Sequence, residues 1–296
     1  MTNSQTQSLH NNNNPNSRFD DFFENGYKVF PPNQNFLKIV DEARLAFEAF
    51  KKQNAKALIP AIDEHGFYRR LVNLHVAVPE LQRLFSENPS LPLLDNLFGE
   101  AILYTSLYFE AGSSQDIHRD TPYFWTSPGY AYVGVWVALE DVHELNGPLR
   151  VVKGGHALPE LNLKAIRRKF FADDEAIDPF SPQLWDEYQA QVQQSYENAD
   201  LKEQDLHVSK GSTIVWHAQL PHGGAPIINK NLTRNSLVMH SIPLDFAVYH
   251  PDKFFEEKPL QSKYEYEYIV SGRRRCISYD SISVAHATNI SINDIK

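Results

Sequence analysis

The sequence predicts a mainly β domain with flanking helices: a helical N-terminal part, a β core and a helical insert. Before residue 100, apolar residues recur at helical spacing. Between residues 101 and 244 they fall instead into short runs cut by Gly, Pro and Asn. A long polar stretch, residues 161–204, interrupts those runs.

Taken in order, residues 1–17 are mostly Asn, Gln and Ser, with too few apolar side chains to repay chain ordering, and are expected to form a disordered tail. They lack the basic start and apolar stretch of a secretory signal. Residues 18–100 read as mostly helical support. Phe36, Leu37, Val40, Ala43, Leu45 and Phe47 fall roughly on one helical stripe, as do Leu81, Leu84 and Phe85. Strands are expected over 103–109, 132–139, 149–152, 213–216 and 236–242, with Asn146-Gly147 marking a turn. The insert, 161–204, carries a helix-like segment over 184–196; an insertion of this length between core strands is usually functional or disordered. Residues 245–296 form a C-terminal extension in which Tyr264, Tyr266 and Tyr268 alternate as in a strand. No linker divides residues 18–296, which are read as a single domain with its barrel core in 101–244.

The formal charge of −9 argues against a broad nucleic-acid or anionic-membrane surface. The longest apolar run, 131–139, is far too short to span a bilayer. A single cysteine, Cys276, allows no intrachain disulfide and points to a reducing, cytoplasmic setting. The cluster Arg273-Arg274-Arg275 reads as a surface turn, with a local phosphate or carboxylate contact as the alternative. Oligomeric state is not legible from these features.

The chemistry-bearing residues are His118-Arg119-Asp120, His222 and Arg234. Two histidines and a carboxylate are the smallest set that holds a ferrous ion on one face and leaves the other open. In extended backbone, positions 118 and 120 point to one face and Arg119 to the other. The third ligand must come from elsewhere, from His217 or His222. His222 is preferred, because the glycines after it allow close backbone approach; His217 follows an apolar strand and reads as a packed histidine. Arg234, Ser236, Val238 and His240 would share one face of a strand, where a guanidinium fork pairs with a carboxylate and Ser236 adds a hydroxyl.

These residues carry a resemblance. Residues 115–159 and 211–240, with their HRDT, WVALEDV, NGPL, GGH and HGG followed by Arg-x-Ser, resemble the phytanoyl-CoA dioxygenase family. The opening residues 19–30, with Glu24-Asn25-Gly26-Tyr27, are also similar to it. The resemblance implies a double-stranded β-helix, a jelly-roll (cupin-like) barrel, and an iron(II)- and 2-oxoglutarate-dependent dioxygenase that uses O2 as cosubstrate. It implies His118, Asp120 and His222 as iron ligands, Arg234 as the 2-oxoglutarate clamp, and Trp136 and Thr105 near that cosubstrate. It further implies hydroxylation of an unactivated C–H coupled to conversion of 2-oxoglutarate to succinate and CO2, since Asp120 fills the coordination site that halogenating relatives leave for chloride. Where relatives usually carry Pro-Gly-Ser-His, this chain has Lys153-Gly154-Gly155-His156, so the rim there is expected to differ, and His156 receives no metal role.

The substrate is expected to be a small organic molecule: an amino acid, a natural product or an acyl derivative. Tyr123, Phe124 and Trp125 are candidate pocket walls, and the insert is the candidate lid. Its basic run Arg167-Arg168-Lys169 would meet an acidic substrate or simply face water. Two other classes remain open: a cupin-like metal-dependent hydrolase or isomerase, which would leave Arg234 without a task, and a non-catalytic ligand-binding barrel.

Overall fold

The computed structural model describes residues 18–68, 70–127, 129–178, 181–256, 260–284 and 288–296. The tail expected over residues 1–17 lies outside them. The fold is a jelly roll in which a ten-stranded sheet faces a three-stranded one. The larger sheet is built around Ala101–Phe109, Ser236–Pro243, Val133–Ala138, Thr213–His217 and Tyr27–Phe30, each antiparallel to the next. The smaller sheet pairs Leu149–Val152 with Glu203–Leu206 on one side and His222–Gly224 on the other.

Val133–Ala138 is buried along its whole length. Val133, Val135 and Val137 face the helices, while Trp136 and Ala138 face the space between the sheets. A strand covered on both sides reads as a continuous apolar run, which is why 131–139 is the longest in the chain. Leu237 and Met239 likewise join the helix-facing core, and Val238 packs between the sheets. Strand Ala101–Phe109 pairs with Ser236–Pro243 in a register that slips where His240 opposes Thr105 and Ser241 opposes Leu103. The unpaired extra residue, Tyr104, is thereby re-aimed, so that Tyr104 and Thr105 both face the cavity.

The N-terminal helices cover the outer face of the large sheet. In helix Gln34–Gln53, Phe36, Val40, Ala43 and Phe47 are buried as the periodicity predicts, but Leu45 is 71% exposed. It lies two residues from both Ala43 and Phe47, on the solvent side of a 3.6-residue repeat. Residues 18–100 also supply strands that the helical pattern concealed: Tyr27–Phe30 at one edge of the large sheet, and Leu71–Val72 beside Ala101–Phe109. Among the described residues of the insert, Leu163–Arg168 and Pro182–Asn198 are helices. They pack with Phe254 and Phe255 into a separate apolar cluster.

In the C-terminal extension the strand begins at Tyr268, so the tyrosine alternation is not a strand throughout. Tyr264 and Tyr266 instead set their rings against each other at a tilt of 48°, with centres 4.7 Å apart. The arginine cluster is structural: Arg274 makes a two-point pair with Asp95 at 2.6 and 2.7 Å, and Arg275 pairs with Glu100. Cys276 is buried, which pushes its thiol up to about 12. Among the described residues, no helix is long and apolar enough to cross a membrane.

Candidate metal centre

His118 sits where the small sheet gives out. It bridges to His222 through reciprocal backbone hydrogen bonds of 2.8 and 2.9 Å. The close approach needs Gly223, where a Cβ would lie 2.6 Å from the Gln115 carbonyl. Each imidazole is held through Nδ1 by a carbonyl two residues back, His118 by Asp116 at 2.7 Å and His222 by Leu220 at 2.9 Å. This leaves both Nε2 atoms free to face a metal, with their tautomers set by backbone. Asp120 Oδ1 lies 3.2 Å from His118 Nε2, and Oδ2 lies 3.4 Å from His222 Nε2. One donor atom from each of the three residues falls within 4.8 Å of the others.

The convergence does not come from extended backbone, as the sequence suggested. Asp120 has φ −71° and ψ −11° and starts a 3-10 turn, Thr121–Tyr123. The chain bends at Asp120, and Arg119 still turns away, its Nη2 donating to the Gly155 carbonyl at 2.9 Å. Burial alone would push the Asp120 carboxyl up. Charge and hydrogen bonding from His222, His118 and His240 outweigh it and hold the group well below the usual carboxylate range. His240, which the strand pattern placed on the Arg234 face without a role, stacks on Phe124 at 3.8 Å and puts Nε2 2.9 Å from Asp120 Oδ2.

His217 stands apart. Its Nδ1 accepts from the Gln219 N–H at 3.1 Å, and its ring neighbours His156 at 5.2 Å. Burial, with His156 and Arg119 nearby, lowers its pKa to about 4.

Arg234 lines the same cavity and is 3% exposed. Its Nη1 donates to the carbonyl of Gly147, the glycine of the expected turn, at 3.1 Å. The guanidinium carbon lies 5.6 Å from the Trp136 ring centre and 6.0 Å from that of Phe109. Burial lowers its pKa to about 10, against the pull of Glu140, so it stays cationic at neutral pH. Arg234 Nε and the fully buried Ser236 Oγ have no hydrogen-bond partner within the protein. Of the two residues Arg234 lines the cavity and Ser236 does not, so only the Arg234 guanidinium borders the space a ligand would fill.

The cavity measures about 680 Å³, a size that suits a small molecule. His118, Asp120, His222, Arg234, Trp136, Thr105, Tyr123 and Phe124 all line it. Trp125 does not: it packs on Tyr249 and Phe254, 6.3 and 6.1 Å away, in the cluster formed by the insert. Sequence reasoning missed Arg70 and Trp185. Arg70 lines the cavity, donates to Gln115 Oε1 at 2.9 Å and lies 5.4 Å from the Phe109 ring centre. Trp185 lies 6.0 Å from the His118 ring and 5.0 Å from that of Tyr123. The basic run of the insert is spent locally, Arg168 on Asp173 and Lys169 on Glu187.

The phytanoyl-CoA dioxygenase family model matches residues 28–236, more than two thirds of the chain. The chain belongs to that family. Phytanoyl-CoA dioxygenase 1 of Oryza sativa subsp. japonica is 27% identical over 152 residues, covering 50% of this chain and 46% of the rice protein. Phytanoyl-CoA dioxygenase domain-containing protein 1 of Danio rerio is 25% identical over 150 residues, covering 50% and 46%. The chain thus spans about half the length of the curated relatives it matches.

Among solved structures, the non-heme alpha-ketoglutarate-dependent carbocyclase SnoK from nogalamycin biosynthesis superposes with a TM-score of 0.59 at 16% identity, covering 86% of this chain and 95% of that one. EctD from S. alaskensis, solved with 2-oxoglutarate and 5-hydroxyectoine, gives 0.59 at 15% identity, covering 88% and 86%. These likenesses establish the shared fold.

Proposed function

We propose that this family member is an iron(II)- and 2-oxoglutarate-dependent dioxygenase that hydroxylates an unactivated C–H bond of a small organic molecule. The observation that carries the reading is that the donor atoms of His118, Asp120 and His222 converge in a cavity that Arg234 also lines. Two imidazole nitrogens and one carboxylate suit iron(II) and leave coordination positions open. When bound, iron and 2-oxoglutarate would supply the oxidising power, through O2 and release of succinate and CO2.

The protein's part is placement. Carbonyls aim the two imidazoles, and His240 orients the Asp120 carboxylate. Arg234, which lines the cavity and whose buried Nε lacks a partner, holds the distal carboxylate of the cosubstrate. Trp136, beneath the guanidinium, sets its plane, and Arg70 adds a second positive charge to the cavity. Tyr123, Phe124 and Trp185 wall the substrate side. Asp120 occupies a ligand position, which favours hydroxylation over halogenation. An amino acid, a natural product or an acyl derivative is the substrate class that fits a cavity of this size.

The test is anaerobic. Iron(II) and then 2-oxoglutarate are added, and the weak visible charge-transfer band of the chelate is followed. The band is expected in the native protein. In Arg234→Ala the 2-oxoglutarate requirement should rise by the equivalent of about 2–5 kcal/mol, the cost of removing one partner of a buried charged pair. Iron binding without the band would overturn this reading in favour of a metal-dependent hydrolase or isomerase.

A further inference from the structure

We infer that Gln189, on helix Pro182–Asn198 of the insert, is a positioning residue for the metal centre; this rests on reading His118, Asp120 and His222 as metal ligands. Its side-chain amide grips the backbone of Arg119, the residue between two of those ligands. Gln189 Oε1 accepts from the Arg119 N–H at 2.9 Å, and Gln189 Nε2 donates to the Arg119 carbonyl at 3.0 Å. This is the two-point pattern a neighbouring strand would supply, made by a side chain where strand pairing has stopped. On one side His118 is still paired with His222 through backbone; on the other, Asp120 already begins a 3-10 turn. Arg119 is 2% exposed, so water does not readily replace either bond.

The neighbouring glutamines behave differently. Gln191, Gln193 and Gln194 pair within their own helix, with Glu187, Glu197 and Asn198. Trp185, one turn before Gln189 on the same face, packs near the His118 ring. The helix is itself anchored, with Leu184, Tyr188 and Val192 buried against Ile166, Phe254 and Phe255. In this conformation it forms a wall of the site. The orientation of the Arg119 peptide sets the angle between the His118 and Asp120 donors, and Gln189 sets that orientation.

The experiment titrates metal-free protein with cobalt(II) without oxygen, following the visible d–d band, and records the thermal midpoint of the metal-free form. Gln189→Ala and the length-matched Gln189→Met should each weaken cobalt binding about 10–100-fold, the usual effect of losing a group that orients a ligand. They should also change the band shape, while Gln193→Ala, on the exposed side of the helix, changes neither. Native cobalt affinity and spectrum in Gln189→Met would overturn the inference, as would a lowered thermal midpoint in either variant with native affinity. If the unsubstituted protein binds no cobalt, the metal-centre reading falls and the inference with it; failure confined to the Gln189 variants leaves that reading standing.

Discussion

Helices Gln34–Gln53 and Pro182–Asn198 make an instructive pair. Both bury an apolar stripe: Phe36, Val40, Ala43 and Phe47 in the first, Leu184, Tyr188, Val192 and Tyr196 in the second. The first starts from Asn33, whose side chain accepts from the Phe36 N–H, and lies on the outer face of the large sheet, with Phe47 3.9 Å from the Tyr108 ring. The second starts with Pro182 and packs on the insert's own cluster, with Trp185 turned towards His118 and Gln189 towards Arg119. Similar patterning thus serves two tasks. One helix stabilises the barrel without lining the cavity, and the other forms part of the cavity wall.

That division can be broken or sharpened by substitution. The largest effect is expected at the ligands: His222→Ala should reduce bound iron from stoichiometric to none, whereas His217→Ala should retain it, as read by metal analysis after reconstitution. Loss of iron in His217→Ala would mean that the wrong histidine has been assigned. On the supporting side, Phe47→Ala should cost about 3–5 kcal/mol in urea unfolding, because it empties a fully buried aromatic site. Cobalt affinity should not change; a parallel loss of affinity would show that the outer helix also shapes the site.

A smaller effect is expected from acid. Burial lowers the pKa of His75 from 6.5 to about 4, with its ring hydrogen-bonded between Ser106 Oγ and the Ile277 carbonyl. The unfolded chain then binds more protons than the folded one as pH falls from 6.5 towards 4, so stability is complete above that window and declines within it. The full contribution is about 3 kcal/mol. Unfolding at pH 7 and pH 4.5 checks the sign, and a stability that rises on acidification would contradict it.

Much of the barrel was legible because its strands are short and covered on both faces, as in Val133–Ala138. Strand Tyr27–Phe30 was concealed because four residues after a helix carry little period of their own, and it forms only by pairing with Thr213–His217. At the site, His118, Asp120, His222 and Arg234 were legible as residue types at characteristic spacings. Arg70 and Gln189 were not, since nothing local distinguishes them from solvated side chains. Trp125 follows Phe124 directly, yet only Phe124 lines the cavity.

By itself, the sequence determined the periodicities and the candidate ligand types, which rest on chemistry within a few residues; the turn it marked at Asn146-Gly147 closes instead over His143 to Asn146. Only the tertiary structure decided the rest: the bend at Asp120, the bulge that turns Tyr104 and Thr105 into the cavity, and the grip of Gln189 on Arg119. Gln189 and Arg119 are seventy positions apart in the chain. No local pattern encodes a contact at that separation; it arises when packing of the insert helix brings the amide to a backbone whose hydrogen bonds would otherwise be unmade.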